Sequence, residues 1–328
     1  EVVIHLTCKD LNRNGLESEA WALHSEGFQN ILAMTGDFPV AGNDGLAKPV
    51  FDIDSVGLIA MLSKMNRGFD HADLIEPHQE PKYEKTRFHI GAVVTNFKRY
   101  EGELIPQYLK LRKKIEAGAS FIINQIGYDS RKIHELRLYM DRHQMANTPL
   151  IGNVYLLNAR VAKLFNAQRI PGVVVSDELL QVCQRHAASP DKGRSFFLEF
   201  AAKQIAVYRG LGYRGAYLGG AHDAASIRKI LDIEATFAAD DWKALAAEIR
   251  FSQPGEHFFF EQNPETGLAD PERLTPSQRP RNGRSIHYSL SKWTHDTFFA
   301  PDTAFARLGA QACANAKDPM QGPAPLRF

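Results

Sequence analysis

Short apolar, β-branched runs that end in polar side chains, each followed after a brief gap by a helical segment, recur along the first 235 residues of this 328-residue chain. Val2-Val3-Ile4-His5-Leu6-Thr7-Cys8 opens the series. Phe28 to Met34, Arg87 to Thr95, Gly118 to Gln125, Leu150 to Leu156, Gly172 to Val175 and Gly215 to Leu218 continue it. Helical patterns fall between them at 15–26, 54–66, 103–117, 130–146, 158–166, 191–211 and 223–233, and Ser176-Asp177-Glu178 is a helix-start signal. Strands that alternate with helices in this way build parallel βα units, because each strand needs a helical crossover to run parallel to the last. In barrels of such units the chemistry sits at the carboxyl ends of the strands. Three runs place polar groups there: the first delivers His5, Thr7 and Cys8, the second reaches Asp37 through a tight Thr35-Gly36 turn, and the fourth delivers Gln125.

Composition removes several function classes. Lys plus Arg number 39 against 38 for Asp plus Glu, which gives no electrostatic case for nucleic acid or an anionic membrane surface. No apolar run approaches the roughly 20 residues of a membrane span, and no signal-peptide pattern opens the chain, so a cytoplasmic protein is expected. Cys8, Cys183 and Cys313 lie far apart without a C-x-x-C pair. Neither a disulfide framework nor a thiolate metal site follows from that spacing, no metal is expected, and Cys8 reads as a small buried residue. No G-x-G-x-x-G unit with an acidic partner is present to discriminate NADH from NADPH.

Beyond residue 235 the texture changes, which divides the chain into a barrel domain at 1–235 and a helical and irregular C-terminal extension at 236–328. In the extension, Asp240 to Phe251 reads as a short amphipathic helix and Pro254 to Gly283 as an extended or mobile connection. Phe258-Phe259-Phe260 is too apolar for free solvent and is expected to pack on the barrel. Trp293 to Ala314 is read as a helical hairpin, and His71 to Lys85, with Pro77 and Pro81, as an exposed loop.

His5-Leu6-Thr7-Cys8, Gly36-Asp37-Phe38-Pro39, and Gln125 followed by Tyr128-Asp129 resemble, in this order and spacing, motifs of the methylenetetrahydrofolate reductase family over residues 1 to 235. The resemblance implies a (β/α)8 TIM barrel with a C-terminal extension. In that family the His5 strand is the third, so the first two βα units, and the glutamate general acid carried by the first, are expected to be absent from the chain given. The implied reaction is NAD(P)H-dependent reduction of 5,10-methylenetetrahydrofolate to 5-methyltetrahydrofolate through bound FAD, a step of one-carbon metabolism.

By the same resemblance Asp37 is the catalytic residue between flavin and folate, Gln125 binds the pterin edge with its donor and acceptor, and Phe165 packs over folate. His5, Thr7, Thr35, Gly36, Asp37, Asp52 and Lys114 fall on the cofactor side. The chain departs from the family pattern at Thr35, where an Arg is usual, at Val93, Thr95, Asn96 and Phe97, which replace a Tyr-Pro and a His, and at Gln107 and Val161. FAD held differently and direct hydride transfer without flavin therefore stay open, as do a non-catalytic folate-binding or scaffold subunit and a barrel enzyme acting on an unrelated substrate. The implied partner is a small folate, with no nucleic acid and no membrane, and homo-oligomer formation is left open.

Overall fold

The short apolar runs become six strands: β1 (Val3–Thr7), β2 (Asn30–Met34), β3 (His89–Val94), β4 (Phe121–Asn124), β5 (Leu150–Tyr155) and β6 (Gly215–Gly219). The computed structural model describes residues 1–68, 85–221, 223–276, 290, 293–294, 297–298 and 303–315. All six strands pair in parallel, in chain order, as one sheet. The His5 ring on β1 and the Tyr217 ring on β6 lie 6.3 Å apart, so the sheet curls until side chains from its two outer strands meet. The architecture is a half-barrel of α/β type.

Helices fill the crossovers: α1 (Arg13–Ser25), α2 (Ser55–Arg67), α3 (Glu101–Glu116), α4 (Ser130–Arg142), and α5 (Ala159–Asn166), α6 (Asp177–Ala187) and α7 (Arg194–Gly210) between β5 and β6. α8 (Ala224–Glu234) and α9 (Trp242–Glu248) follow. Their starts are written locally. Asn12, Asp54, Asp129, Asn158, Ser176 and Asp223 each accept a backbone N–H of the first turn, which stabilises a helix start by about 1 kcal/mol.

Strand periodicity sorts the core into two layers. Leu6, Ile31, Ala33, Ile90, Ala92, Val94, Ile122, Leu150 and Val154 face the helices and join the large core. Leu32, Phe121 and Ile123 form a separate cluster on the inner face, with Met34, Val93 and Ile151 packed on it. Each such side chain taken from water contributes about 1.5–3 kcal/mol.

The strand expected at Gly172 to Val175 does not form. β5 pairs directly with β6 from Ile151/Gly215 to Tyr155/Gly219, which leaves no ladder position between them. Val173 and Val175 are buried nonetheless, and the Val175 carbonyl accepts from Asn166 Nδ2 at 3.1 Å.

Residues Glu1–Pro276 form one compact unit and Ser277–Phe328 a second. The stretch after residue 235 is thus packed into the first unit as far as Pro276. Up to that point the expectation of an extended or mobile connection is corrected: β7 (Phe260–Gln262) and β8 (Ala269–Leu274) pair antiparallel, and β8 packs on α4. A buried charge cluster holds the strap ahead of β7. Glu135 on α4 accepts the Phe259 and Phe260 amides and the Tyr108 hydroxyl, the last at 3.1 Å. Lys132 donates to the His257 carbonyl and lies 3.4 Å from Glu135 and 3.9 Å from Glu256. The aromatic triad packs as the sequence implied. Phe258 lies under the Arg131 guanidinium at 3.8 Å, Phe259 edges onto Tyr139, and Phe260 is fully buried.

In the second unit the described residues include α10 (Ala304–Asn315), with the Phe298 ring against Phe305 and Trp293. Residues 295–296 and 299–302 of the expected hairpin, the segment 277–283 and nearly all of the loop expected at His71 to Lys85 lie outside the described residues. No described helix is long and apolar enough to cross a membrane.

Candidate functional site

A cavity of about 620 Å³ opens at the carboxyl ends of the strands. Leu32, Met34, Val93 and Ile123 from the inner face form its apolar floor. His5, Thr7, Thr35, Gly36, Asp37, Lys114 and Gln125 all line it, so the three strand ends singled out in the sequence converge on one space.

The β1 and β2 ends are tied together first. The Cys8 amide donates to the Met34 and Thr35 carbonyls at 3.2 Å. Gly36 turns the chain at φ +86°, where a Cβ would press to 3.1 Å from Thr7 Cβ and 3.2 Å from Lys9, so the turn carrying Asp37 needs glycine for both its φ and its close approach. Thr35 Oγ1 lies 3.2 Å from both the Ser55 amide and hydroxyl, which joins the end of β2 to the start of α2. Asp37 stands exposed at the rim, and its carboxylate has no hydrogen-bond partner among the described residues.

Cations gather around the cavity, with Lys9 paired to Asp10 beside the Gly36 turn and the others on or before α3. Lys9, Lys98, Lys110 and Lys114 line the cavity against one carboxylate, that of Asp37. Lys110 is paired with Asp54 at 2.9 Å. Lys114, in the last turn of α3, is buried and donates to the Val93 carbonyl at 2.6 Å. Burial, reinforced by the neighbouring Lys110 charge, pulls its pKa down to about 8. Desolvation likewise lowers the His5 pKa below its ordinary value. The Cys8 thiol is buried and pushed up to about 11, which makes it a packing residue rather than a nucleophile.

Amides gather on the β4 and β5 side. Gln125 Oε1 accepts from the Ile126 amide at 2.9 Å, so its carboxamide is braced by its own backbone. Asn124, 1% exposed, donates from Nδ2 to the Gln125 carbonyl at 3.1 Å and to the Tyr208 hydroxyl at 3.0 Å, and accepts the Asn153 amide at 2.8 Å.

Two expected site residues are elsewhere. Phe165 is 4% exposed, with its ring 5.2 Å from Tyr155, and does not line the cavity. Ala162 and Phe165, three apart on α5, are both buried, and that face holds the aromatic in the core. Asp52 accepts from the Arg13 amide at 2.9 Å and Nε at 3.0 Å, fastening the α1 start outside the cavity, and those bonds lower its pKa. Tyr128 and Asp129 are buried. Asp129 caps α4 by accepting the Lys132 amide at 3.0 Å, and burial raises its pKa. Sequence reading passed over Asn153, Tyr217, Lys9, Lys98 and Lys110, all of which line the cavity. The available signal was Asn153, a lone amide within the apolar run 150–156.

Fold and cavity together define a parallel βα half-barrel protein with a lysine-lined, amide-edged cavity at its strand ends. The family model for methylenetetrahydrofolate reductase matches residues 1–232, and the chain belongs to that family. Methylenetetrahydrofolate reductase 2 of Schizosaccharomyces pombe is 26% identical over an alignment of 198 residues that covers 57% of this chain and 28% of that protein. Among solved structures, an uncharacterized protein from Clostridium thermocellum that binds two copies of 5-methyl-5,6,7,8-tetrahydrofolic acid aligns at TM-score 0.37 and 9% identity. That alignment covers 71% of this chain and 92% of that one. A 3-hexulose-6-phosphate synthase aligns at TM-score 0.28 and 13% identity, over 72% of this chain and 100% of its own.

Proposed function

We propose that the carboxyl-end cavity binds a reduced folate and serves the NAD(P)H-dependent reduction of 5,10-methylenetetrahydrofolate to 5-methyltetrahydrofolate. One observation carries the reading: His5 and Thr7 of β1, Asp37 after β2, Lys114 of α3 and Gln125 after β4 share a single cavity in a chain of the methylenetetrahydrofolate reductase family.

The residues present fit FAD. The floor of Leu32, Met34, Val93 and Ile123 suits the face of a flat ring, and Lys98 supplies charge for phosphate beside Lys9, Lys110 and Lys114, which are engaged with Asp10, Asp54 and the Val93 carbonyl. A flavin, when bound, supplies the two-electron link between nicotinamide and folate. The remaining work belongs to the chain. Gln125 reads the pterin edge and fixes its distance from the reacting centre. Asp37 offers a carboxylate to ring N–H groups at the rim, where changing charge on the rings is stabilised, and the apolar floor keeps water away. His5 and Thr7 lie on the cofactor side.

A second reading drops the flavin. Thr35, which replaces the usual Arg, is spent on Ser55, and the Lys114 ammonium is turned to the Val93 carbonyl, so two groups on the flavin side are already engaged. The purified protein, titrated with 5-methyltetrahydrofolate and assayed with NADH and NADPH, tests the proposal. A yellow protein with ping-pong kinetics supports the flavin route, and a colourless one with ternary-complex kinetics supports direct transfer. Folate binding without turnover supports a scaffold subunit. Absence of both folate binding and hydride transfer defeats the reading.

A further inference from the structure

We propose that Asn153 is a ligand-reading residue, paired with Gln125 across the tips of β4 and β5, for a planar heterocycle whose edge carries an N–H donor beside an acceptor. The inference deepens the folate reading and rests on it.

The first observation is a parting of two strands. β4 and β5 pair only at Ile122/Leu150 and Ile123/Ile151, whereas β5 and β6 stay paired to Tyr155/Gly219. Where the β4 to β5 ladder stops, a side chain takes over, because Asn124 Oδ1 accepts the Asn153 amide at 2.8 Å. The Tyr208 hydroxyl on α7 receives Asn124 Nδ2 at 3.0 Å and lies 3.4 Å from the Asn153 carbonyl. Tyr208 reaches this position because residue 152 is glycine; a Cβ there would lie 2.3 Å from its ring. Both backbone groups of Asn153 are thus held from the helix side, and its side chain is left to the cavity.

The second observation is chemical. Asn153 lines the cavity, and its Oδ1 is buried with no hydrogen-bond partner among the described residues. No other cavity-lining residue has such an atom among those described. An unpaired buried carbonyl is unfavourable, and strand geometry does not call for a carboxamide here, since the inner-face residue before it, Ile151, is apolar. A carboxamide satisfies a donor and an acceptor side by side, so whichever way the Asn153 amide is turned it matches an aminopyrimidinone-type edge. Asn153 and Tyr217 are register partners, and the Tyr217 ring then bounds the same edge.

The test compares binding of 5-methyltetrahydrofolate and its 2-desamino analogue to the wild-type full chain, Asn153→Leu and Asn153→Ser, with thermal melting confirming that each variant is folded. Wild type is expected to prefer the amino form by at least tenfold, and Asn153→Leu to bind both forms equally, at the weaker level. Asn153→Ser is expected to fall between and supplies the answer if the Leu variant fails to fold. An undiminished preference in folded variants overturns the assignment while leaving the folate reading standing. Equal weakening toward both forms overturns it as well, because that is the signature of a structural role. Wild type that binds neither form defeats this inference together with the folate reading.

Discussion

Lys114 directs a long cationic side chain inward from the last turn of α3, where a lysine in the run Leu111-Arg112-Lys113-Lys114 would ordinarily face water. Among the described residues its ammonium donates to the Val93 carbonyl, and burial brings its pKa to about 8. A lysine with a depressed folded-state pKa is disfavoured in its charged form, so below pH 8 the ammonium opposes folding. Stability then rises with pH between about 8 and 10.5, where the unfolded chain holds the extra proton. Lys114→Met is therefore expected to raise stability at pH 7 by on the order of 1–3 kcal/mol and to flatten that rise, as read by urea unfolding at pH 7 and 9.5. The same substitution should weaken binding of FMN, used as a phosphate-bearing ring, by tenfold or more. A variant that is less stable and binds FMN as tightly would show that Lys114 is structural. Legibility at this scale depended on where a residue's partners lie. Gln125 and Asp37 could be read because strand, turn and polar residue are contiguous. Phe165 looks identical in sequence whether its helix face meets the core or the cavity. Asp52 falls outside the cavity on a partner, Arg13, that lies on the preceding helix, a pairing no local window contains.

α4 and the strap show how an element can be held by what it buries. Lys132 and Glu135 are both 0% exposed, and Glu256 is 3% exposed at its side chain; burial pushes the Glu256 pKa up to about 7. The cluster closes because the strap supplies its backbone, with the His257 carbonyl on Lys132 and the Phe259 and Phe260 amides on Glu135. The strap also reaches the loop that follows β3, since the His257 amide donates to the Arg99 carbonyl at 2.8 Å. Removing one partner of a buried pair leaves the other uncompensated, so Glu135→Ala is expected to destabilise by about 3–5 kcal/mol, and Lys132→Met with Glu135→Leu should recover only the part due to the unpaired ammonium, because the Phe259 and Phe260 amides stay unsatisfied. Chemical denaturation measures both, and a single variant within 1 kcal/mol of wild type would mean the strap is held by its aromatics alone. In the sequence this stretch read as an extended or mobile connection because its Pro, Gly and Asn are those of a loop. The groups that order it sit on α4, whose Lys and Glu three apart look like any solvated helix pair.

Across the whole molecule, the inner and outer faces of the sheet follow from strand parity, and this is why the architecture could be read from the sequence while the pairing at its ends could not. Apolar residues on both faces, as in Phe121-Ile122-Ile123, mark a strand covered on two sides, and β4 is buried at every position. β6 runs Gly215-Ala216-Tyr217-Leu218-Gly219 and is exposed or intermediate throughout, although its composition differs little from a covered strand. β1 is buried only at Leu6. What separates them is position in the sheet order, with β1 and β6 at its margins, and position is fixed by the fold rather than by any residue within the strand. Local opening follows buried contacts and neighbouring hydrogen bonds, so native-state amide exchange should rank β3 and β4 slowest and β1 and β6 fastest, with the two groups separated by on the order of tenfold to a hundredfold. Adding 5-methyltetrahydrofolate should slow β4 and β5 near Gln125 and Asn153 more than β1, because the proposed ring edge bridges the point where those strands part. Uniform protection across all six strands would refute the ranking, since it requires the margins to be as well covered as the centre, and ligand protection confined to β1 would move the folate to the opposite wall of the cavity.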